Sequence, residues 1–182
     1  MGPCGVGKTT YACSQLVDCL LVDRERLSAA IAPPKLQTRC FDPPMRSMSR
    51  LLQIAAARQV MKRGLLCCIT CGGATRHERA TWVNMAKQYG YQVHGILLVA
   101  SQEVCTQQAM QDRNRPKTSR GKWKAIIRHW FERFEPVLPE EEGFFSFREI
   151  HQEPSQERRE AVQPDGTLLE RRRSERGAMR RG

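Results

Sequence analysis

The sequence predicts an α/β fold, in which a parallel sheet is covered by helices on both faces. Short apolar runs that suit buried strands alternate along the chain with longer segments of helical periodicity. A glycine-rich segment, Gly2 to Thr9 (GPCGVGKT), opens the first of these helices. Alternation of strands and helices at this spacing is typical of parallel sheets. We therefore expect a P-loop-type sheet with helices packed on each side.

The first half of the chain predicts three helices and two strands. A helix should run from Lys8 to about Val17, and Asp23 can cap a second helix over 24–31. Pro33 and Pro34 end that helix, and 33–44 should form a loop. The remaining elements are strands at 19–22 and 65–70 and a long, broadly apolar helix at 47–63.

The second half predicts the same alternation. Thr75 followed by Glu78 is a capping box that starts a helix ending at Gly90. Trp82, Met85, Ala86 and Tyr89 form the core-facing stripe of that helix. A strand at 91–100, a polar helix at 101–112, a basic loop at 113–121, an amphipathic helix from Trp123 to Phe134 and a strand at 144–150 follow. The Arg- and Glu-rich tail, 151–182, should be disordered.

The segment GPCGVGKT fits the phosphate-binding pattern G-x-x-x-x-G-K-[ST]. Glycines at positions 2, 5 and 7 allow successive backbone N–H groups to surround phosphate oxygens. Lys8 would reach the β- and γ-phosphates of ATP, and the Thr9 hydroxyl would be a ligand of Mg²⁺. The residues expected to contact the nucleotide are Gly2, Pro3, Cys4, Gly5, Val6, Gly7, Lys8, Thr9 and Thr10.

A phosphate loop of this kind ordinarily follows a central strand. Here Met1 leaves no room for a strand before Gly2. We therefore expect the sheet to lack its first strand and the loop to be weakly anchored.

Bulk composition favours a polyanionic partner. The net charge is +11, and basic proteins tend to attract nucleotides or nucleic acid. The sequence has neither a membrane-length apolar run nor the pattern of a signal peptide, so a cytoplasmic location is expected. One CxxC pair, Cys68 and Cys71, has no matching second pair, and reduced core cysteines are a better interpretation than a metal site.

The order of GPCGVGKTTYA, VDRER, LLCCIT, ATRHER and FERFEPVLPEEEGF resembles that of the P-loop polynucleotide 5′-kinases, an AAA-type ATP-binding kinase domain, over residues 1–150. The resemblance implies that Asp23 accepts the proton of the attacking 5′-hydroxyl and that Arg26 holds the acceptor phosphate. It also implies a lid near 101–122, in which Arg113, with Arg115 behind it, covers the ATP phosphates. The expected cofactors are ATP and Mg²⁺, and the expected partners are nucleic acid 5′ ends.

The sequence departs from that family after the second apolar run. The family has Asp-x-Thr-Asn there, whereas this chain has Thr70-Cys71-Gly72-Gly73, without a carboxylate near the metal. Arg79 matches a family arginine. Two alternatives stay open: that Asp23 serves only as a helix cap, and that Arg79 forms only a structural ion pair with Glu78 or another acid.

Three functions therefore remain open. The first is a polynucleotide 5′-hydroxyl kinase, the second is a P-loop kinase for a small-molecule hydroxyl, and the third is a non-catalytic nucleotide- or nucleic-acid-binding remnant. A run of basic residues supports the polynucleotide kinase, because such a run can contact phosphates. The polar, solvent-facing side of an amphipathic helix would explain the same residues. The cations of the run are Arg113, Arg115, Lys117, Arg120, Lys122, Lys124, Arg128 and Arg133, against the single acid Glu132.

Overall fold

Helices and strands alternate along the chain, as the sequence predicts. The computed structural model describes residues 1–31, 43–111 and 120–152. In this part of the chain the elements are, in order, α1 (Lys8–Gln15), β1 (Leu20–Asp23), α2 (Arg24–Ile31), α3 (Pro43–Lys62), β2 (Cys67–Thr70), α4 (Arg76–Gln88), β3 (His94–Val99), α5 (Gln102–Gln111), α6 (Arg120–Arg133), α7 (Pro139–Glu142) and β4 (Ser146–His151). The predicted α/β class is confirmed.

The four strands form two parallel pairs. In one pair β1 lies beside β2, with Leu20 opposite Cys67 and Asp23 opposite Thr70. In the other, β3 lies beside β4, with His94 opposite Ser146. Parallel neighbours align their carboxyl ends, so Asp23 and Thr70 reach the same edge.

Met1 and Gly2 lie between the two pairs. The Met1 ammonium donates to the carbonyl oxygen of Ile96 at 2.5 Å, and the Leu98 N–H donates to the Met1 carbonyl at 3.0 Å. On the other side, the Gly2 N–H donates to the carbonyl of Gly72 at 3.1 Å. Among the described residues α1 is the first element, and Met1 and Gly2 before it join the two strand pairs through these hydrogen bonds.

Two apolar clusters form the core. One joins the phosphate loop to β3, α5 and α6, and its buried members are Val6, Leu98, Ala100, Cys105, Ala109 and Ile127. The other joins β1, α3 and α4, and its buried members are Val22, Ala57, Met61, Trp82, Met85 and Ala86. The predicted stripe of α4 is thus confirmed, with Tyr89 packed at its margin. The first cluster holds the phosphate loop against the sheet.

Several boundaries differ from prediction for local reasons. Helix α3 begins at Pro43, earlier than the predicted 47, because the first turn of a helix needs no N–H donors. Strand β2 is shorter than its apolar run, and Leu65 and Leu66 before it are exposed. The short helix α7 was not predicted; Pro139 starts it and Gly143 ends it with φ 80°.

The predicted capping box of α4 forms with one change of partner. The Thr75 hydroxyl accepts from the Glu78 N–H at 3.2 Å, as expected. The Glu78 carboxylate, however, accepts from the N–H of Ala74 at 3.0 Å, one residue earlier than the standard box. The box therefore also orders the loop that connects β2 to α4.

Part of the predicted organisation lies outside the described residues. This applies to most of the 33–44 loop, to the lid segment 112–119 with Arg113 and Arg115, and to the tail from residue 153 onward. The lid and the tail therefore stay predictions. None of the described helices has the length and apolarity to cross a membrane.

Candidate active site

The glycine-rich segment forms a tight loop that leads directly into α1. Gly2, Gly5 and Gly7 have φ values of 139°, 87° and 86°, a region that residues with a Cβ rarely adopt. A Cβ on Gly5 would lie 2.1 Å from the carbonyl oxygen of Cys105, so the loop packs against the backbone of α5. The glycines of the sequence pattern thus lie where the backbone has positive φ and, at Gly5, where there is no room for a Cβ.

The side chains that begin α1 point in different directions. The Lys8 ammonium folds back and donates to the carbonyl of Pro3 at 2.6 Å, so its charge lies over the loop. Thr9 reaches the end of β1, where its hydroxyl donates to Asp23 Oδ2 at 2.8 Å. Thr10 is exposed on the helix. A positive charge and a helix N-terminus therefore converge on the same loop, which favours anion binding.

Asp23 is the most highly connected side chain of the site. It is 4% exposed at the carboxyl end of β1. Oδ2 accepts hydrogen bonds from Thr9 and, at 2.6 Å, from the Thr70 hydroxyl. Oδ1 accepts the Arg26 N–H at 2.9 Å, so Asp23 also caps α2. The helix-cap interpretation is confirmed, and the same carboxylate lies beside the phosphate loop.

These contacts determine the protonation state of Asp23. Burial alone would raise its pKa, because a charged carboxylate loses solvation. The hydrogen bonds from Thr70, the Arg26 backbone and Thr9, together with the charge of Lys8, outweigh burial and hold the pKa of Asp23 below its usual value of 3.8. Asp23 is therefore an anion at neutral pH, able to accept a proton or orient a hydroxyl.

One contact of Thr70 and one further residue, Gln53, were not predicted from the sequence. Thr70 stands where the resembled family has a carboxylate, and it donates directly to Asp23. Gln53 of α3 is 1% exposed, and its Nε2 donates to the carbonyls of Val22 and Thr70 at 3.1 and 2.8 Å. It thereby ties the ends of β1 and β2 together beneath Asp23. A lone glutamine inside an apolar helix stripe was the signal that could have revealed it.

Arg26 lies in the first turn of α2, and its side chain is exposed. Its guanidinium contacts the sulfur of Cys13 on α1 at 3.2 Å. The structure therefore brings Lys8, Thr9 and Asp23 together and places Arg26 beside them, at the α1–α2 surface. Arg113, the predicted lid arginine, lies outside the described residues.

Arg79 has a structural role in the described chain. Its side chain is fully buried and pairs with Glu142, with 2.5 Å between Nε and Oε2 and 2.7 Å between Nη2 and Oε1. The guanidinium also donates to the carbonyls of Gly73, Ala74, Glu135 and Pro136. Its acidic partner is thus Glu142 of α7 and not its neighbour Glu78.

The loop after β2 borders the start of the phosphate loop. The carbonyl of Gly72 accepts from the Gly2 N–H and, at 3.0 Å, from the indole Nε1 of Trp130 on α6. The Trp130 ring in turn stacks on Phe134, with 4.8 Å between centroids. Trp130 therefore links α6 to the loop after β2, and the same Gly72 carbonyl links that loop to Gly2 of the phosphate loop.

The oxygen ligands present suit a magnesium ion that is bound mainly through a nucleotide. Thr9 donates its proton to Asp23, which leaves its lone pairs available. Among the described residues no group of three His, Cys, Asp or Glu side chains could hold a metal alone. Mg²⁺ in kinases is commonly held by one or two protein oxygens plus phosphates, so this donor set fits it.

The cysteines near the site are thiols. Burial, with smaller contributions from neighbouring cysteines, raises the pKa of Cys67 and of Cys68 to about 11. A thiol with so high a pKa is protonated at neutral pH and is a poor nucleophile or metal ligand. All the cysteines of the described residues are free.

Comparison with known proteins identifies the family and the fold of this chain. The model of a family described as AAA domain matches residues 1–137. Curated protein sequences gave no match. Among solved structures, a gluconokinase from Sinorhizobium meliloti 1021 superposes with a TM-score of 0.54 over 89% of this chain and 86% of that chain, at 17% identity. At that identity the likeness shows the fold, which is that of a P-loop kinase. With three quarters of its length matched by the family model, the chain belongs to the AAA domain family.

Proposed function

We propose that this protein transfers the γ-phosphoryl group of ATP to the 5′-hydroxyl of a polynucleotide. The observation that carries the proposal is the position of Asp23. Its carboxylate lies one hydrogen bond, 2.8 Å, from the Thr9 hydroxyl of the phosphate loop. A group that accepts the proton of an attacking hydroxyl must lie beside the transferred phosphate, and the contact with Thr9 supports this role for Asp23.

The reaction balances with the residues of the site. Asp23 orients the acceptor hydroxyl and accepts its proton as the acceptor oxygen forms a bond to the γ-phosphorus. The bond from that phosphorus to the bridging oxygen of ADP breaks, and ADP leaves. Lys8 and the N–H groups of the loop stabilise the charge that spreads over the phosphoryl oxygens. Bound with the nucleotide, Mg²⁺ supplies further charge neutralisation at the phosphates.

Thr70 is compatible with this role for Asp23. A second carboxylate at position 70 would lie within hydrogen-bond distance of Asp23, where two like charges raise each other's pKa. The threonine instead donates a hydrogen bond and keeps Asp23 ionised. We propose that Asp23 supplies the negative charge that the resembled family carries at the position of Thr70.

The acceptor assignment draws support from the exposed cations on α6. Lys122 and Lys124 are exposed and carry the charge that phosphate binding requires. Arg128 and Arg133 lie 3.4 Å from Glu132 and Glu78, respectively, so part of the basic run is already neutralised. That neutralisation, together with the fold likeness to a gluconokinase, favours a second candidate, a kinase for a small-molecule hydroxyl.

The test is label transfer from γ-labelled Mg²⁺-ATP to either a 5′-hydroxyl oligonucleotide or a small polyhydroxy acid. We expect label on the oligonucleotide, lost in Lys8→Ala and reduced about 10²- to 10⁴-fold in Asp23→Asn. Asp18→Asn is the matched control, because Asp18 is an exposed acid outside the site. Label on the acid alone would establish the second candidate. No label on either, with a Tm that Mg²⁺-ATP does not raise, would indicate a non-catalytic remnant.

A further inference from the structure

Arg50 of α3 is a partly buried arginine to which the proposed reaction gives no role. Its guanidinium carbon lies 4.4 Å from the centroid of the Trp82 ring, and Trp82 is itself only 7% exposed. Within the described part of the chain, this contact with the indole face is made without any hydrogen bond or ion pair of the Arg50 side chain. The guanidinium is therefore held by an aromatic ring while its N–H donors stay available.

The position of Arg50 along α3 places it beyond the carboxyl ends of β1 and β2. Gln53, on the next turn of the same helix face, bonds to the last carbonyls of both strands. The far end of α3 connects through 63–66 to the amino end of β2, so the helix runs antiparallel to that strand. Arg50 therefore lies about 4.5 Å past Gln53 along the helix axis, at roughly 1.5 Å per residue, on the side where Asp23 ends β1.

The groups that act electrostatically on Arg50 lie on the segments that leave those strand ends. Burial lowers the pKa of Arg50 below its usual value; the Cys71 thiol and the Glu78 carboxylate oppose this change, and the charge of Arg24 adds to it. Arg24 directly follows β1, Cys71 directly follows β2, and Glu78 lies in the first turn of α4. An arginine keeps its charge at neutral pH in spite of such a change. Arg50 is therefore a cation at the rim of the candidate active site.

Arg50 approaches this rim from the face of the β1–β2 pair opposite to α1. Val22 and Ile69 pack with α3 in one apolar cluster. Successive side chains of a strand point to opposite faces, so Asp23 points away from α3 and meets Thr9 of α1. In-line transfer requires the acceptor to lie opposite the departing ADP. A cation that reaches the strand ends from the α3 face is thus placed to meet the acceptor and not the phosphates held by the loop.

We propose that Arg50 binds an anionic oxygen group of the acceptor and so positions the acceptor hydroxyl at Asp23. This inference rests on the phosphoryl transfer proposed above. A guanidinium recognises such an oxyanion through paired N–H donors. In a polynucleotide the oxyanion is an internucleotide phosphate, and in a small polyhydroxy acid it is the carboxylate. The acceptor is therefore an anion, and a neutral molecule with the same hydroxyl is a poor substrate.

The experiment compares Arg50→Gln with Arg58→Gln, a matched control because Arg58 is an exposed arginine of the same helix. Each chain receives a 5′-hydroxyl oligonucleotide and the same oligonucleotide with neutral methylphosphonate linkages nearest its 5′ end. It also receives a polyhydroxy acid and the neutral primary amide of that acid. Label transfer from Mg²⁺-ATP gives kcat and KM for each acceptor. Calorimetry without ATP gives the equilibrium binding of the same acceptors, and the Tm of each variant reports its folding.

We expect Arg50→Gln to lower kcat/KM for the charged acceptor roughly 10- to 100-fold, mainly through KM, as the loss of hydrogen bonds to a charged group predicts. The neutral counterpart and the KM for ATP should be nearly unchanged, and Arg58→Gln should match the parent chain. The acceptor pair that shows the effect identifies the oxyanion as phosphate or carboxylate. Equal losses for charged and neutral acceptors would indicate a structural role and overturn the proposal, as would no loss for either.

Equilibrium binding separates this inference from the proposed function. If the parent chain transfers no label but binds a charged acceptor, and Arg50→Gln weakens that binding, the transfer reaction is wrong and the anion site stands. Binding of charged acceptors that the substitution leaves unchanged, or no binding of them to the parent chain, would overturn the role of Arg50.

Discussion

At the scale of single residues, two buried charges organise the molecule in different ways. Asp23 collects three hydrogen-bond donors from α1, β2 and α2. Arg79 collects four backbone carbonyls and one carboxylate from three separate segments. Asp23 lies beside the phosphate loop, whereas Arg79 holds the supporting loops in place.

Replacing Arg79 should destabilise the protein strongly. Arg79→Ala leaves the buried Glu142 carboxylate with only the more distant Arg76, at 4.0 Å, and removes the donors of four carbonyls. Breaking a buried ion pair in this way typically costs about 3–5 kcal/mol. Urea unfolding monitored by circular dichroism measures the change in the free energy of unfolding.

Arg128→Ala is the matched control for this measurement. Arg128 lies on α6 and pairs with Glu132 at 3.4 Å, and both side chains are largely exposed. Its replacement should shift the urea midpoint little, because exposed pairs are screened by solvent. Equal effects of the two substitutions would contradict a structural role that is specific to Arg79.

At the scale of elements, the contact between the phosphate loop and α5 controls the shape of the loop. Gly5 packs directly on the Cys105 carbonyl, and Val6 is completely buried in the adjoining cluster. Gly7 has the same backbone conformation but faces open space. Substitution at Gly7 therefore tests backbone strain alone, whereas substitution at Gly5 tests backbone strain together with a steric clash.

Gly5→Ala should destabilise the protein more than Gly7→Ala. Both substitutions place a Cβ at positive φ, which costs roughly 1–2 kcal/mol each. Only at Gly5 does the new Cβ collide with backbone, at 2.1 Å from the Cys105 carbonyl oxygen. The measurement is the Tm of each variant without nucleotide; a lower Tm for Gly7→Ala would show that the α5 contact does not limit the loop.

The sequence predicted the loop and most elements, but few of the contacts between them. The glycine spacing is a local signal, and so is the α4 stripe, which makes both readable from neighbouring residues. The bond from Thr70 to Asp23 joins residues 47 positions apart, and that from Arg79 to Glu142 spans 63. Such partners depend on strand order and helix docking, which periodicity does not encode.

At the scale of the whole molecule, buried carboxylates link stability to pH. Burial opposes ionisation of Glu142, but hydrogen bonds from Arg79 and the Leu138 N–H hold its pKa below the usual 4.5. The pKa of Asp23 is also held below its usual value by hydrogen bonds that outweigh burial. A carboxyl group whose pKa is lower in the folded than in the unfolded protein stabilises the fold when the pH is above its pKa in the unfolded protein. This stabilisation is lost as the pH falls through its pKa in the folded protein.

The free energy of unfolding should therefore stay nearly level from pH 7 to about 5 and fall below about pH 4.5. Thr70→Val removes the hydrogen bond that lowers the Asp23 pKa most, so the variant should be less stable at pH 7 but lose less on acidification. Urea midpoints at pH 7, 5, 4 and 3 test this. Thr10→Val, on the exposed face of α1, is the control, and a Thr70→Val curve parallel to that of the parent chain would contradict the assignment.

The Asp23 carboxylate bonds both to Thr9 of the phosphate loop and to the first turn of α2, so it couples these two parts of the site. A nucleotide that changes the hydrogen bond between Thr9 and Asp23 also changes how strongly Asp23 holds the first turn of α2. Arg26 lies on that turn. Because such coupling is reciprocal, any ligand that orders α2 through this contact would change nucleotide affinity by the same factor by which the nucleotide changes the affinity of that ligand.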